Sequence, residues 1–220
     1  MPTVIRKQAV GLLRTVVVLA IGLVLDARPS QAQNLVQNPG FETGTTSGWT
    51  FTAATGGSDF YVGGNISASF GNGVQVLPHS GSFMAVFGAT QGTNDTLAQT
   101  FFSTISGQSY DFNFWVNNQD GQNASFLTVM FGAQTVLTIN TNSANSIWTD
   151  YNFIETATGT STAISFAGRN VPSWIAIDDV SVTAVPEPST CAAILGIVSL
   201  GFVMLRRRFA QAASSSTRAK

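Results

Sequence analysis

The sequence predicts an all-β protein: one antiparallel two-sheet sandwich, flanked by an N-terminal signal helix and a C-terminal single transmembrane helix. Three observations carry that expectation. Between Asn34 and Ala184 apolar residues recur with period two, and no stretch of a dozen residues carries a 3.6-residue stripe. Turn formers such as Asn38-Pro39-Gly40, Gly56-Gly57-Ser58 and Gly63-Gly64-Asn65 punctuate these runs. Each end holds a short apolar stretch bounded by charges, interrupted at the C-terminal end only by Ser199.

Residues 1–32 have the layout of a secretory signal peptide. Arg6, Lys7 and Arg14 precede the apolar run Val16 to Leu25, and Ser30-Gln31-Ala32 places small residues at the cleavage positions. Ten apolar residues span about half of the ~30 Å hydrocarbon core, which favours a cleaved signal over the alternative, an N-terminal anchor. Cleavage by signal peptidase after Ala32 leaves Gln33 as the first residue.

The domain is 33–184. Tyr110, Phe112, Phe114 and Val116 alternate with Ser109, Asp111, Asn113 and Trp115, the pattern of a strand with one face on a core. Similar runs at Gly73–Leu77, Ser82–Phe87, Leu97–Phe102, Phe126–Phe131, Thr135–Ile139, Trp148–Glu155, Ala163–Phe166 and Ile175–Thr183 bring the expected number to about nine strands. Many short strands with no helix to cover a parallel sheet predict a sandwich. Fourteen of the sixteen Phe lie in this domain and supply its core.

Charge and residue counts exclude whole classes of function. From Asn34 to Ala184 there are nine acidic side chains against Arg169 alone, a net charge of about −8. Such a surface neutralises neither phosphates nor anionic headgroups, so nucleic acid is not a partner. One Cys and one His leave no disulfide framework and no multi-Cys/His zinc site within the chain. The expectation is a protein that is not an enzyme.

Residues 185–210 form the C-terminal element. Pro186-Glu187-Pro188 leads into an apolar run from Cys191 to Leu205, which meets Arg206-Arg207-Arg208 directly. Ser189 to Leu205 would cover about 25 Å as a helix, enough for a short span. Arginines placed right after it hold that end on the cytoplasmic side. A polar tail, 211–220, follows. Together these residues resemble the PEP-CTERM sorting signal of Gram-negative exopolysaccharide producers. That resemblance implies recognition by the membrane transpeptidase exosortase, transient anchoring in the inner membrane with a periplasmic domain, and processing near Pro186 to Pro188. The product is then delivered to the cell surface or extracellular matrix.

A second resemblance covers the domain. Asn34-Leu35-Val36-Gln37-Asn38-Pro39-Gly40-Phe41-Glu42 with Gly48-Trp49, then His79-Ser80-Gly81, then Ile177-Asp178-Asp179-Val180-Ser181-Val182, resemble the opening, middle and last strand of galactose-binding-like jelly rolls. Several carbohydrate-binding modules share that fold; its members commonly hold a structural calcium ion, and the resemblance implies that Trp49 and Trp148, where the fold usually buries an aromatic, belong to the core.

Asp178-Asp179 interrupts an apolar strand, and alternation requires one of two adjacent strand residues to point inward. With no cation nearer than Arg169, the pair either binds calcium through oxygen ligands with Glu42, or forms a hydrogen-bonded motif without metal. A glycosidase reading of the same residues requires two carboxylates across one substrate, which adjacent strand positions do not give. For sugar binding, Trp115 is the leading candidate, on the polar side of its strand beside Asn113, with Trp174 and Tyr61 as second choices; the alternative is that all three only pack. The function expected is an exported, non-catalytic envelope or matrix protein associating with extracellular polysaccharide. A structural surface protein without a ligand site is the alternative, and a polysaccharide hydrolase the third reading.

Overall fold

The computed structural model describes residues 33–66, 75–88, 92–101, 103–119, 125–141, 145–170, 173–186, 196, 198–204, 206 and 207. The signal peptide, Glu187, Pro188, Arg208 and the polar tail lie outside them. A compact unit begins at Asn34. It contains ten strands: β1 (Thr50–Thr52), β2 (Tyr61–Gly63), β3 (Met84–Phe87), β4 (Asp95–Phe101), β5 (Ser109–Asn118), β6 (Ser125–Phe131), β7 (Gln134–Thr141), β8 (Asn145–Thr156), β9 (Thr162–Arg169) and β10 (Ile175–Ala184). They form two five-stranded antiparallel sheets, β1-β4-β9-β6-β7 and β2-β3-β10-β5-β8, a jelly-roll sandwich.

Eight of the predicted runs appear as β3 to β10. The run Gly73–Leu77 does not: Val76 makes only an isolated bridge to Ile66, and 73 and 74 lie outside the described residues. The three-residue strands β1 and β2 have no sequence signal, because alternation needs four or more residues to register.

Alternation places the core. Phe112 and Phe114 of β5, Leu97 of β4, Leu127 and Val129 of β6, Phe166 of β9 and Ile177 of β10 are buried between the sheets. Phe166 lies at the centre, its ring 5.1 Å from Phe114 and 6.1 Å from both Phe112 and Trp49. Trp49 is in this core as expected.

The residues before β1 form no strand, yet they are tied to β10. Asn34 accepts from Val36 N and Val182 N (3.0 and 2.9 Å), Leu35 N donates to Val182 O (2.9 Å), and Val180 N donates to Pro39 O (3.0 Å). First and last segments therefore lie side by side, which brings Glu42 near the Asp178-Asp179 pair within β10.

Gly196, residues 198–204, Arg206 and Arg207 are helical and, where described, exposed. Among the described residues no helix is long and apolar enough to cross a membrane. Of the predicted span, 191–195, 197 and 205 lie outside the described residues.

Candidate functional site

The outer face of the β2-β3-β10-β5-β8 sheet divides into a covered half and an open half. Over β3 and β10, Met84, Val86 and Ala176 are buried beneath Ile66 and Val76, with Tyr61, Trp148 and Trp174 packed at the margin. Tyr61 and Trp174 meet edge to face at 5.5 Å, and the Tyr61 hydroxyl donates to Asn65 O (3.1 Å); burial pushes its pKa up from the usual 10.0. Both predicted aromatics thus lie on this face, partly buried in a second apolar cluster. Trp148, expected in the main core, is also here. Its parity on β8 matches Asp150 and Asn152, and its indole N–H donates to Leu77 O (3.0 Å).

The open half is the β5–β8 strip. Trp115 stands opposite Asp150 on β8 and Asp178 on β10. Its ring stacks on His79 at 3.8 Å and 15°, and His79 meets Trp148 edge to face at 5.8 Å. Beside it, Asn113 donates to Asp150 and Asn152 donates to Asp111 (2.7 Å). Both carboxylates keep an oxygen free of these amides, so the strip presents acceptors next to an aromatic ring. Leu77, 59% exposed, lies beside Trp148 at this end. Trp115 and Asn113 are brought together as predicted, while Trp174 and Tyr61 stand apart over β3. The contribution of His79 was not legible, since 36 residues separate it from Trp115 in sequence.

His79 is aimed by the acidic pair. The Asp178 carboxylate accepts from His79 N (2.9 Å), Ser80 N (3.2 Å) and Asp179 N (2.8 Å), while Asp179 accepts from His79 Nδ1 (2.6 Å) and Ser80 Oγ (2.7 Å). Alternation failed at this point, and the reason is a β-bulge. Between Asp178 and Ser181 the β10 register shifts against β5, and Asp179 adopts a left-handed φ of 49°. The extra residue lets Ile177 and Val180 both stay in the core while both carboxylates reach the same turn.

Glu42 completes the cluster, accepting from Ser82 N and Phe83 N (3.0 and 3.1 Å). Gly81 (φ 62°) passes so close to this carboxylate that any Cβ would collide with it. A Cβ on Gly40 would lie 3.3 Å from Asp179 Oδ1 and 3.6 Å from Asp178 Oδ1. Both aspartates thus reach Gly40 while the Glu42 carboxylate lies against Gly81, and among the described residues no Lys or Arg pairs with any of the three. Asp178, 0% exposed, is pushed up to about 7 by burial, against the three backbone N–H groups that favour its charged form. Oxygen-only donors with excess negative charge suit calcium, although among the described residues no group of three His, Cys, Asp or Glu side chains is placed to hold a metal ion.

Comparison with solved structures supports the fold alone. The tailspike protein 4 enzymatically active domain of bacteriophage CBA120 aligns with TM-score 0.51 and 18% identity over 69% of this chain, which spans 21% of that one. A cyclase from Fischerella sp. TAU, solved with 4-(1H-indol-3-yl)butan-2-one, aligns with TM-score 0.52 and 17% identity over 70% of this chain and 98% of the other. Carbohydrate-binding modules are also among the neighbours, including TmCBM61 in complex with β-1,4-galactotriose (TM-score 0.47, 20% identity, 70% of this chain and 100% of that one). No curated protein matches the chain in sequence. At the C-terminus, residues 184–208 match the family model for the PEP-CTERM protein-sorting motif. The chain is a jelly-roll domain carrying a PEP-CTERM sorting motif at residues 184–208, a signal of export to the cell envelope.

Proposed function

We propose that this is an exported, non-catalytic protein that associates with extracellular polysaccharide through the open β5–β8 strip. One observation carries the reading: Trp115, stacked on His79, stands at the end of two Asp–Asn pairs on an uncovered sheet face. A pyranose packs its C–H face on an aromatic ring and directs its hydroxyls to neighbouring acceptors, and this strip supplies both. The His79–Asp179 pair has a positioning role, fixing the ring against Trp115. Trp174 and Tyr61, edge to face over β3, pack in the second apolar cluster and stand apart from this strip. Exosortase processing near Pro186 to Pro188, after transient inner-membrane anchoring by the apolar segment before Arg206, delivers the domain to the surface or matrix.

Replacing Trp115 by Ala is expected to weaken retention in polysaccharide-containing native gels about tenfold, as loss of one stacking ring removes ~1.4 kcal/mol. Unchanged retention on every polysaccharide tested defeats the reading and leaves a structural protein without a ligand site. Clearing of the gel assigns a hydrolase instead.

The carboxylate cluster makes a separate prediction. Asp178 has a folded pKa of about 7 against an unfolded value near 3.8. The folded state therefore binds its proton more tightly, and its contribution is fully present below about pH 4. It is lost as pH rises towards 7, by roughly 4 kcal/mol over the window. Melting is expected at a lower temperature at pH 8 than at pH 5, with a flatter profile in D178N. We propose that calcium, held by Glu42 and Asp179, offsets this loss, so that millimolar calcium raises Tm at pH 8 and not at pH 5. No calcium effect at either pH returns the cluster to a metal-free hydrogen-bonded clasp.

A further inference from the structure

The opposite sheet presents a face of a different kind. On β1-β4-β9-β6-β7 the strand registers align Thr52, Thr96, Ala167, Thr128 and Thr138 in one row across all five strands. The next row is Thr50, Ala98, Ser165, Met130 and Thr135. The burial pattern puts these side chains outward, away from the core residues Leu97, Leu127, Val129, Ile164 and Phe166. None of the hydroxyls in the first row has a hydrogen-bond partner among the described residues. The strands carry no outward acidic side chain, and Arg169, at one corner with Nη1 donating to Gly92 O (3.1 Å), is their only outward charge.

We infer that this face is a self-association surface, and that its occupant is a second copy of the same face. Charge makes the choice. A domain of about −8 opposes its own approach, and the other sheet's outer face carries Asp111, Asp150 and the Asp178–Asp179 cluster. Two copies avoid opposing carboxylates when they meet through the Thr rows. The chemistry of the rows is self-complementary as well. A hydroxyl both donates and accepts, so Thr facing the same Thr forms a bond where a carboxylate facing itself repels. A twofold axis through Ala167 and along its row sets each Thr over its own copy, a closed isologous contact. It also sets Phe126 over Met130 and Arg169 over Ser165 of the second copy, so the two arginines do not meet. Five strands at ~4.8 Å spacing and about 20 Å of strand length bury roughly 900 Å² in total, the size of a weak, reversible contact. Such a contact works through many copies at a surface or in a matrix.

Cysteine cross-linking in the full chain, with Cys191→Ser as background, tests this at the two positions that face themselves. A167C and T128C are each expected to give at least tenfold more disulfide-linked dimer under mild oxidation than N152C, which lies on the other sheet's outer face. Adding A167R to T128C is expected to return its dimer to the N152C level. Equal cross-linking at all three positions, or none at Ala167 and Thr128, overturns the inference. So does loss of polysaccharide retention in A167R with retention intact in W115A, because the face then belongs to the polysaccharide.

Discussion

Replacing Phe166 by Ala is expected to destabilise the domain by about 3–5 kcal/mol, the range for truncating a buried aromatic. Phe166 is fully buried on the central strand β9 and touches Trp49, Phe112 and Phe114, so its ring joins both sheets. These neighbours are large and already packed on one another, with Phe112 5.0 Å from Phe114 and 5.8 Å from Phe131, and cannot collapse into the space. At roughly 2–4 °C per kcal/mol for a domain of this size, Tm is expected to fall by about 10 °C. Phe166→Leu keeps most of the volume and is expected to cost less than half as much. Thermal unfolding followed by near-UV circular dichroism measures both. A fall of less than 2 °C in Phe166→Ala shows that the two sheets do not close on this ring.

Replacing Arg206, Arg207 and Arg208 together by Ser is expected to abolish sorting while leaving the domain folded. The three lie within the matched motif and form the charge cluster that meets the apolar run directly. The intact mass of the chain from the host's envelope and medium reads the outcome. The wild-type chain is expected to have lost both ends, at Ala32 and near Pro186 to Pro188. The Ser variant is expected to keep its C-terminus through Lys220. A wild-type chain that itself retains Lys220 is a resident membrane protein with a periplasmic sandwich, and processing is then not its fate. Pro186 follows the end of β10 by two residues, so processing there removes no strand of the sandwich.

Much of the fold was legible because the relevant physics is local. Period-two runs gave β3 to β10, since a half-buried strand must alternate. The sorting motif was legible for a similar reason: Pro-Glu-Pro, an apolar stretch and an Arg cluster act in chain order. What escaped involved partners distant in sequence or a break in a local rule. Trp148 shares its side of β8 with Asp150 and Asn152, so its parity pointed outward, and its expected place in the core rested on the fold resemblance alone. Asp178-Asp179 looked like an inward and an outward carboxylate, because a bulge inserts one residue without any glycine to announce it.

The candidate site divides along the same line. Trp115 and Asn113 could be picked out from the polar side of one strand, Asp178 and Asp179 from charge placed where an apolar strand should run, and Glu42 only through the jelly-roll resemblance that pairs the first segment with the last. The His79 stack, the Asp111–Asn152 and Asn113–Asp150 pairs and the Thr row across five strands depend on register. Sequence by itself determined the all-β class, the acidic charge, the core aromatics and the sorting address, since each is set by composition or by neighbours along the chain. Only the tertiary structure decided which faces are covered and which residues meet across strands, because a one-residue shift in pairing moves every side chain to the other side of its sheet.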